Sequence, residues 1–139
     1  MTGEFSLAIH ALVFLSRHPG ATQSSETLAD NICTNPARVR KVMSGLKKAG
    51  LVSTKEGAEG GYALERPSGE MTLRQVADAV GARFVSASWR SGDIDKECLI
   101  ASGMAGVMDG LYGELDGLCK ARLAALTVAD IEGRIFPPG

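Results

Sequence analysis

The sequence is poor in the residues that build disulfide frameworks, metal sites and membrane segments. Its three cysteines, Cys33, Cys98 and Cys119, lie far apart without a CxxC pair, and 139 residues include two histidines and one tryptophan. An odd number of widely spaced cysteines predicts neither a disulfide framework nor a zinc site. No apolar run approaches the roughly 18 residues of a membrane span, and the first residues lack a secretion signal. We therefore expect a cytoplasmic protein without membrane contact.

Motifs of catalysis are missing as well. The sequence shows no nucleophile–base pair, paired carboxylates, phosphate-binding loop or metal-binding constellation, so we predict that the protein is not an enzyme. The net charge of −1 and the pI near 6.1 exclude a protein that coats nucleic acid over its whole surface. Any nucleic-acid binding is expected on one face.

One stretch concentrates the positive charge. From Asn35 to Lys55 lie six basic residues and no acidic one, which leaves 9 basic against 16 acidic residues elsewhere, a net charge of −7. This separation favours a phosphate backbone as the partner. The alternative is a solvated, lysine-rich helix surface.

The same stretch has the pattern of a recognition helix and a wing. Apolar residues recur at i, i+3, i+4 and i+7, namely Val39, Val42, Met43 and Leu46. Asn35 is the expected N-cap, Pro36 the first helical residue, and Gly50 the expected end. A strand over 51–54, a glycine loop and a strand over 62–64 follow, which predicts a winged helix-turn-helix.

The expected fold class is mainly α with a small β-wing. Further helices are predicted over 4–16, from Ser24, from Thr72 to Gly81, over 98–126 and over 128–133, with 66–70 as a linker and 82–97 without a clear period. We divide the chain into a winged helix-turn-helix DNA-binding domain (1–66), a connecting helix and loop (67–97), and a dimerisation helix with a tail (98–139).

Side chains of the basic stretch are assigned to DNA by their place on the helix. The candidates for base edges and nearby phosphates are Arg38, Arg40, Lys41 and Ser44. Phosphates are the expected partners of Lys47, Lys48 and Lys55. Ser25, at the start of the second helix, is a candidate phosphate donor, with helix capping as an equal alternative. Cys33, in the turn between the two helices, is expected to be a small core residue.

The spacing of apolar residues in the last long helix predicts a dimerisation seam. Its residues are Ile100, Met104, Val107, Leu111, Leu115 and Leu118. Five glycines make this helix depend on packing for its stability. Dimerisation is favoured over an ordinary core helix because helix-turn-helix modules commonly act as two-fold dimers.

Cys98 is the candidate sensor because the start of a helix favours a thiolate. Asp93, Asp95 and Glu97 oppose this, since nearby anions raise the pKa of a thiol. A second route to regulation is a small-molecule effector in a pocket formed by the loop around Trp89 and the long helix.

The sequence resembles the Rrf-two (Rrf2) family of bacterial winged-helix regulators along essentially its whole length. The resemblance is carried by SETLA at 25–29, Asn35-Pro36, LKKAGLV at 46–52, GAEGGY at 57–62 and MTLRQVADAV at 71–80. It implies a homodimeric repressor whose long helices cross at the two-fold and whose recognition helices read a pseudo-palindromic operator in double-stranded DNA. Several members sense a signal through cysteines.

Two departures from the family pattern matter. Cluster-binding members have three closely spaced cysteines where this chain has Cys98 alone, so we expect no iron–sulfur cluster and no other cofactor. In the wing, Glu56 and Glu59 stand where a phosphate contact would favour cations, so the recognition helix is expected to carry most of the DNA binding.

A competing function is a winged-helix protein–protein interaction module that does not bind DNA. The acid-free basic stretch argues against it, because protein-binding surfaces are usually depleted of lysine.

Overall fold

The structure is a computed structural model that describes residues 2–58 and 60–137. Within these residues the chain forms six α-helices and one two-stranded antiparallel sheet. The elements are α1 (Gly3–Ser16), α2 (Ser25–Ile32), α3 (Pro36–Lys48), β1 (Val52–Lys55), β2 (Gly61–Leu64), a short 3₁₀ helix (Ser68–Glu70), α4 (Leu73–Val80), α5 (Leu99–Leu123) and α6 (Val128–Ile135). The predicted fold class, mainly α with a β-wing, is confirmed.

Helix α1 lies at the centre of the core. It is apolar over most of its surface, and Ala8, Ala11 and Leu12 are fully buried. A helix of this kind must be covered on several sides, and α2, α3, α4, α6 and β2 all pack against it. The surrounding elements therefore take their positions from α1.

The helix-turn-helix is formed by α2 and α3, each with its predicted cap. The Ser24 hydroxyl accepts the Thr27 N–H at 3.0 Å, and the Asn35 side chain accepts the Arg38 N–H at 2.8 Å. Cys33, expected in the core, is exposed instead. It ends α2 in the left-handed conformation, with φ of +66°, and this backbone turn leaves its side chain outside the core.

The wing consists of β1 and β2, each displaced by one residue from its predicted start. Val52 pairs with Leu64, and Lys55 pairs with Gly61. Tyr62 extends the sheet by exchanging two backbone hydrogen bonds with Gln23, at 2.8 and 2.9 Å. Gly61 has φ of +149°, and a Cβ there would collide with the Gln23 backbone, so glycine is required for this contact. The wing is thereby attached to the residues just before α2. The predicted acid Glu59 lies outside the described residues.

The core extends across the expected division of the chain at residue 66. Residues 66–70, predicted as a linker, contain the 3₁₀ helix, and α4 buries Leu73, Val76 and Ala77. Val128, at the start of α6, donates its N–H to the Met71 carbonyl at 2.9 Å and is fully buried. Capping boxes at Thr72 and Thr127 start both helices. The three-part division stays a prediction, but α4 and α6 complete the core around α1.

Helix α5 lies largely outside this core. Among its residues only Asp116 is buried, so the alternative of an ordinary core helix is wrong. The segment over 82–98 forms neither helix nor strand, as its lack of periodicity predicts. No helix in the described residues is long and apolar enough to cross a membrane.

Gly45 lies where α3 crosses α4, and a Cβ there would stand 2.7 Å from the Ala79 carbonyl oxygen. We expect Gly45→Ala to lower the free energy of unfolding by up to about 2 kcal/mol, because an overpacking penalty of roughly 1–3 kcal/mol opposes a helix-propensity gain of about 1 kcal/mol. Urea unfolding followed by circular dichroism measures the change.

Gly133→Ala in α6 is the matched control, since nothing lies within 4 Å of its Cβ position. Helix propensity alone should stabilise this variant by about 0.5–1 kcal/mol. Equal stability of the two variants would show that α3 and α4 can shift to fit the extra methyl group at little cost in free energy.

Candidate nucleic-acid interface

The outer face of α3 is set by the side chains that it buries. Val39, Met43 and Leu46 are fully buried and Val42 is 3% exposed. The opposite face carries three exposed polar residues, Lys41, Ser44 and Lys48. Within the described part of the chain, these three side chains form no hydrogen bond or ion pair. They are therefore available to an anionic surface, and their contact with DNA stays a prediction.

On one flank of this face, Arg40 is held by the start of α2. Its guanidinium donates to the Ser25 hydroxyl at 3.3 Å and lies 3.8 Å from a Glu26 carboxylate oxygen. Ser25 is only 8% exposed and donates its own proton to Glu26 at 3.2 Å. The structure thus places Ser25 behind Arg40, where it orients the arginine. A direct contact of Ser25 with phosphate stays a prediction.

On the other flank, Arg38 is directed towards α1. Its guanidinium lies 3.6 Å from a Glu4 carboxylate oxygen. Arg38, a predicted contact of base edges, therefore lies at the edge of the buried face. Arg38 is separated from the outer face and meets DNA only if it leaves Glu4.

The wing extends the basic surface beyond the end of α3. The Lys47 ammonium donates to the Thr54 hydroxyl of β1 at 2.8 Å. Lys55 ends the same strand and is exposed, as is Glu56. Thr54 was not among the predicted residues, because its contact with Lys47 follows from the packing of β1 on α3. The predicted cations except Arg38 thus follow one continuous surface from the start of α2 to the wing.

Cys98 is the N-cap of α5 and is exposed. The nearby backbone amides of Ala101 and Ile100 lower the pKa of the thiol. Asp93, Asp95 and Glu97 are expected from the sequence to raise this pKa, but they do not outweigh the effect of the amides. The Asp93 carboxylate accepts the backbone N–H of Asp95 at 2.9 Å and is thereby engaged within its own turn.

The cysteines do not fit an iron–sulfur cluster. Cys33 ends α2, whereas Cys98 and Cys119 are separated by 21 residues, a distance of about 30 Å along a helix. Among the described residues, no group of three or more His, Cys, Asp or Glu side chains is placed to hold a metal ion. A cluster requires several thiolates converging on one point, and these three cysteines do not converge.

Cavities of about 450 and 480 Å³ lie between the 82–98 segment and α5, where the effector pocket is expected. Trp89 itself is 78% exposed and lines neither of them. A larger apolar cavity of about 620 Å³ lies on the outer side of α1, between Phe5, Phe14 and Phe136. An effector stays a prediction without a defined site.

Comparison with known proteins relates this chain to bacterial transcriptional regulators. The profile of the Rrf2 family, described as an iron-dependent transcriptional regulator, matches residues 1–133. YwnA of Bacillus subtilis, provisionally named an HTH-type transcriptional regulator, is 25% identical over 98% of this chain and 99% of its own. YwgB of the same bacterium, named in the same way, is 35% identical, but the match spans 55% of this chain and 49% of YwgB.

Solved structures share the whole fold. A protein from Lactobacillus plantarum, provisionally named a transcriptional regulator, superposes with a TM-score of 0.84 at 25% identity, covering 100% of this chain and 93% of its own. CymR, the global cysteine regulator of Bacillus subtilis, superposes with a TM-score of 0.68 at 18% identity, covering 96% of each chain. At this identity the likeness to CymR concerns the fold alone.

Removing one outward cation tests the assignment of this surface. We expect Lys48→Ala to weaken binding to duplexes of any sequence by a similar factor and to reduce the slope of log affinity against log salt by about one, because one phosphate contact is lost. Fluorescence anisotropy across a salt series measures both. Arg134→Ala, which removes an exposed cation from α6, is the control. An equal loss in both variants would contradict a localised interface.

Proposed function

The chain belongs to the Rrf2 family of transcriptional regulators, and from this premise we propose that it acts as a homodimeric repressor that binds a pseudo-palindromic operator. The family consists of DNA-binding regulators rather than enzymes, so the prediction that the protein is not an enzyme is confirmed. The observation that carries the proposal is the outer face of α3, where exposed cations have no partner in the described chain.

Different residues of the recognition helix supply specificity and affinity. Arg40 is pre-oriented by Ser25 and Glu26, and a guanidinium held in this way can contact a guanine edge with both of its forks. Lys41, Lys48 and Lys55 supply charge that favours any phosphate backbone. A protein-binding module would not need unpaired lysines at its centre. DNA is therefore the favoured partner.

The homodimer is supported by the apolar surface that α5 exposes. The described chain exposes eleven large apolar residues, and nine of them fall within residues 89–118. The predicted seam is among them: Ile100, Met104, Val107, Leu111, Leu115 and Leu118 are 38–70% exposed. Monomeric proteins rarely leave such a patch in water. A second copy covers it symmetrically and presents two recognition helices to successive major grooves about 34 Å apart.

Repression follows from the occupancy of the operator. A dimer that covers two successive major grooves would occupy promoter DNA and exclude polymerase from it. We place the protein in the cytoplasm, where a bacterial regulator meets its DNA. Glu56 in the wing opposes phosphate, so α3 supplies most of the affinity.

The experiment that tests the proposal starts from a random duplex library selected by the purified, reduced protein. We expect recovery of a two-fold symmetric site, bound with an affinity that falls steeply with salt. A shuffled duplex of the same length is the control in the anisotropy assay. Recovery of no preferred sequence would contradict the repressor and favour the interaction module.

The dimer seam is tested by Leu115→Asp. We expect the variant to elute at the monomer mass of 14.5 kDa, because two carboxylates near a two-fold axis would be buried without partners. Ala124→Asp places the same charge at the exposed C-terminal end of α5 and is expected to stay dimeric. Light scattering after size exclusion gives the masses. A dimer of the Leu115→Asp protein would contradict the seam.

Regulation is proposed to act through Cys98 as a free thiol, without a cluster. At pH 7 we expect iodoacetamide to modify Cys98 severalfold faster than Cys33, which is also exposed, because the amides of Ala101 and Ile100 stabilise the thiolate and lower its pKa. The rate at Cys98 should rise with pH and level off at a lower pH than for an unperturbed thiol, because its pKa is lowered. Peptide mass spectrometry gives the two rates.

The sensing role itself is tested by operator binding after treatment with hydrogen peroxide. Loss of binding in the unmodified protein and its retention in Cys98→Ser are the expected results. Equal rates of modification at Cys33 and Cys98, or equal loss of binding in both proteins, would contradict the role of Cys98.

A further inference from the structure

We propose that Asp116 is the positioning residue that fixes the direction in which α5 leaves the DNA-binding part of the chain. In the homodimer it would thereby set the relative placement of the two recognition helices. The inference rests on the proposed homodimer and goes beyond it by naming the residue that holds its geometry. Asp116 is 9% exposed on a helix whose other described residues are not buried.

The Asp116 carboxylate joins α5 to the segment that follows α4. One of its oxygens accepts the backbone N–H groups of Phe84 and Val85, at 2.6 and 3.0 Å. The other oxygen lies 3.6 Å from the Lys120 ammonium, which also lies 3.9 Å from a carboxylate oxygen of Asp78 in α4. Charge-assisted hydrogen bonds of this kind are strong and directional. The same amides hold the pKa of Asp116 below its usual range, so the carboxylate is charged at neutral pH.

The segment that receives Asp116 is itself fixed to the core. Phe84 packs edge-on against Phe5 of α1, with ring centroids 5.1 Å apart and an interplanar angle of 90°. Ala82 is buried and donates its N–H to the Ala77 carbonyl at 2.9 Å. Asp116 therefore attaches α5 to a segment that is itself packed against α1.

The angle of α5 matters because the helix is long. Its 25 residues extend over about 38 Å, so a rotation of about 10° at Asp116 would displace its far end by several Å. One base pair along B-DNA rises about 3.4 Å. A small change in the angle of α5 would thus displace its far end by about the length of one base pair in the half-site spacing. Seven large apolar residues of α5 face outward, and Leu123 at its C-terminal end packs against the core. The exposed residues therefore do not define the angle of the helix within one protomer.

The test measures the distance between the two DNA-binding units in the dimer without DNA. In a C98S/C119S background, the exposed Cys33 just before α3 is the single site for a nitroxide label, and pulsed electron paramagnetic resonance gives the distribution of distances across the dimer. We expect a narrow peak in this reference protein and its loss in Asp116→Ala. Asp116→Asn keeps a carbonyl oxygen that can accept both amides, so it should retain the peak.

Asp109→Ala is the matched control. Asp109 lies on the same helix and pairs with Arg90 of the same segment at 2.8 Å, but both side chains are exposed. This variant should keep the narrow peak, since an exposed pair is screened by water. Circular dichroism and light scattering establish that every variant is folded and dimeric, which separates positioning from a loss of folding.

The outcomes distinguish this inference from the function on which it rests. No dipolar signal in the reference protein would overturn the homodimer, and this inference with it. A narrow peak in dimeric Asp116→Ala, or equal broadening in Asp109→Ala, would overturn the role of Asp116 alone. A DNA readout follows from the same reasoning. The preference for the selected operator over one with a base pair inserted at its centre should shrink severalfold in Asp116→Ala, because a dimer with a broader distribution of half-site spacings distinguishes the two sites less well.

Discussion

The packing of α3 against α1 is the constraint on which the interface depends. Once Val39, Met43 and Leu46 are fully buried, the periodicity of 3.6 residues per turn decides where every cation of the helix can lie. Lys41 and Lys48 fall on the outer face, whereas Arg38 and Arg40 fall on opposite flanks. Burial on one side of the helix thus sorts its positive charges on the other.

This sorting gives the two groups of cations different properties. The outward lysines have no partner in the described chain, whereas each arginine lies beside one acid of a neighbouring helix, Glu4 or Glu26. Exposed ion pairs contribute little to stability, so phosphate could replace these acids at small cost. Glu26 orients the guanidinium of Arg40 before DNA arrives, whereas Glu4 holds that of Arg38 towards α1. Affinity and orientation are therefore supplied by different residues of one helix.

Features that depend on neighbouring residues could be predicted from the sequence. The Asn35 cap, the buried stripe of α3 and the outward seam of α5 each follow from spacing within a few turns of helix. Features that join distant parts of the chain could not. The contact of Arg38 with Glu4, the support of Arg40 by Ser25 and the two hydrogen bonds of Asp116 connect residues 15 to 34 positions apart. Cys33 shows a second limit, because its exposure follows from a left-handed backbone conformation that non-glycine residues rarely adopt.

The segment before α5 connects the candidate sensor with the residue that positions the helix. At one end it is held by Asp116 through Phe84 and Val85. At the other end, the Asp93 N–H donates to the Ala101 carbonyl at 2.9 Å, within the turn of α5 whose amides stabilise the Cys98 thiolate. Oxidation or alkylation of Cys98 would change the charge and size of the group at that turn. The segment is attached to α5 at both ends. A change at Cys98 would therefore strain the segment against the core before its effect reached the DNA-binding surface. In this way the segment would couple the Cys98 thiol to the orientation of α5.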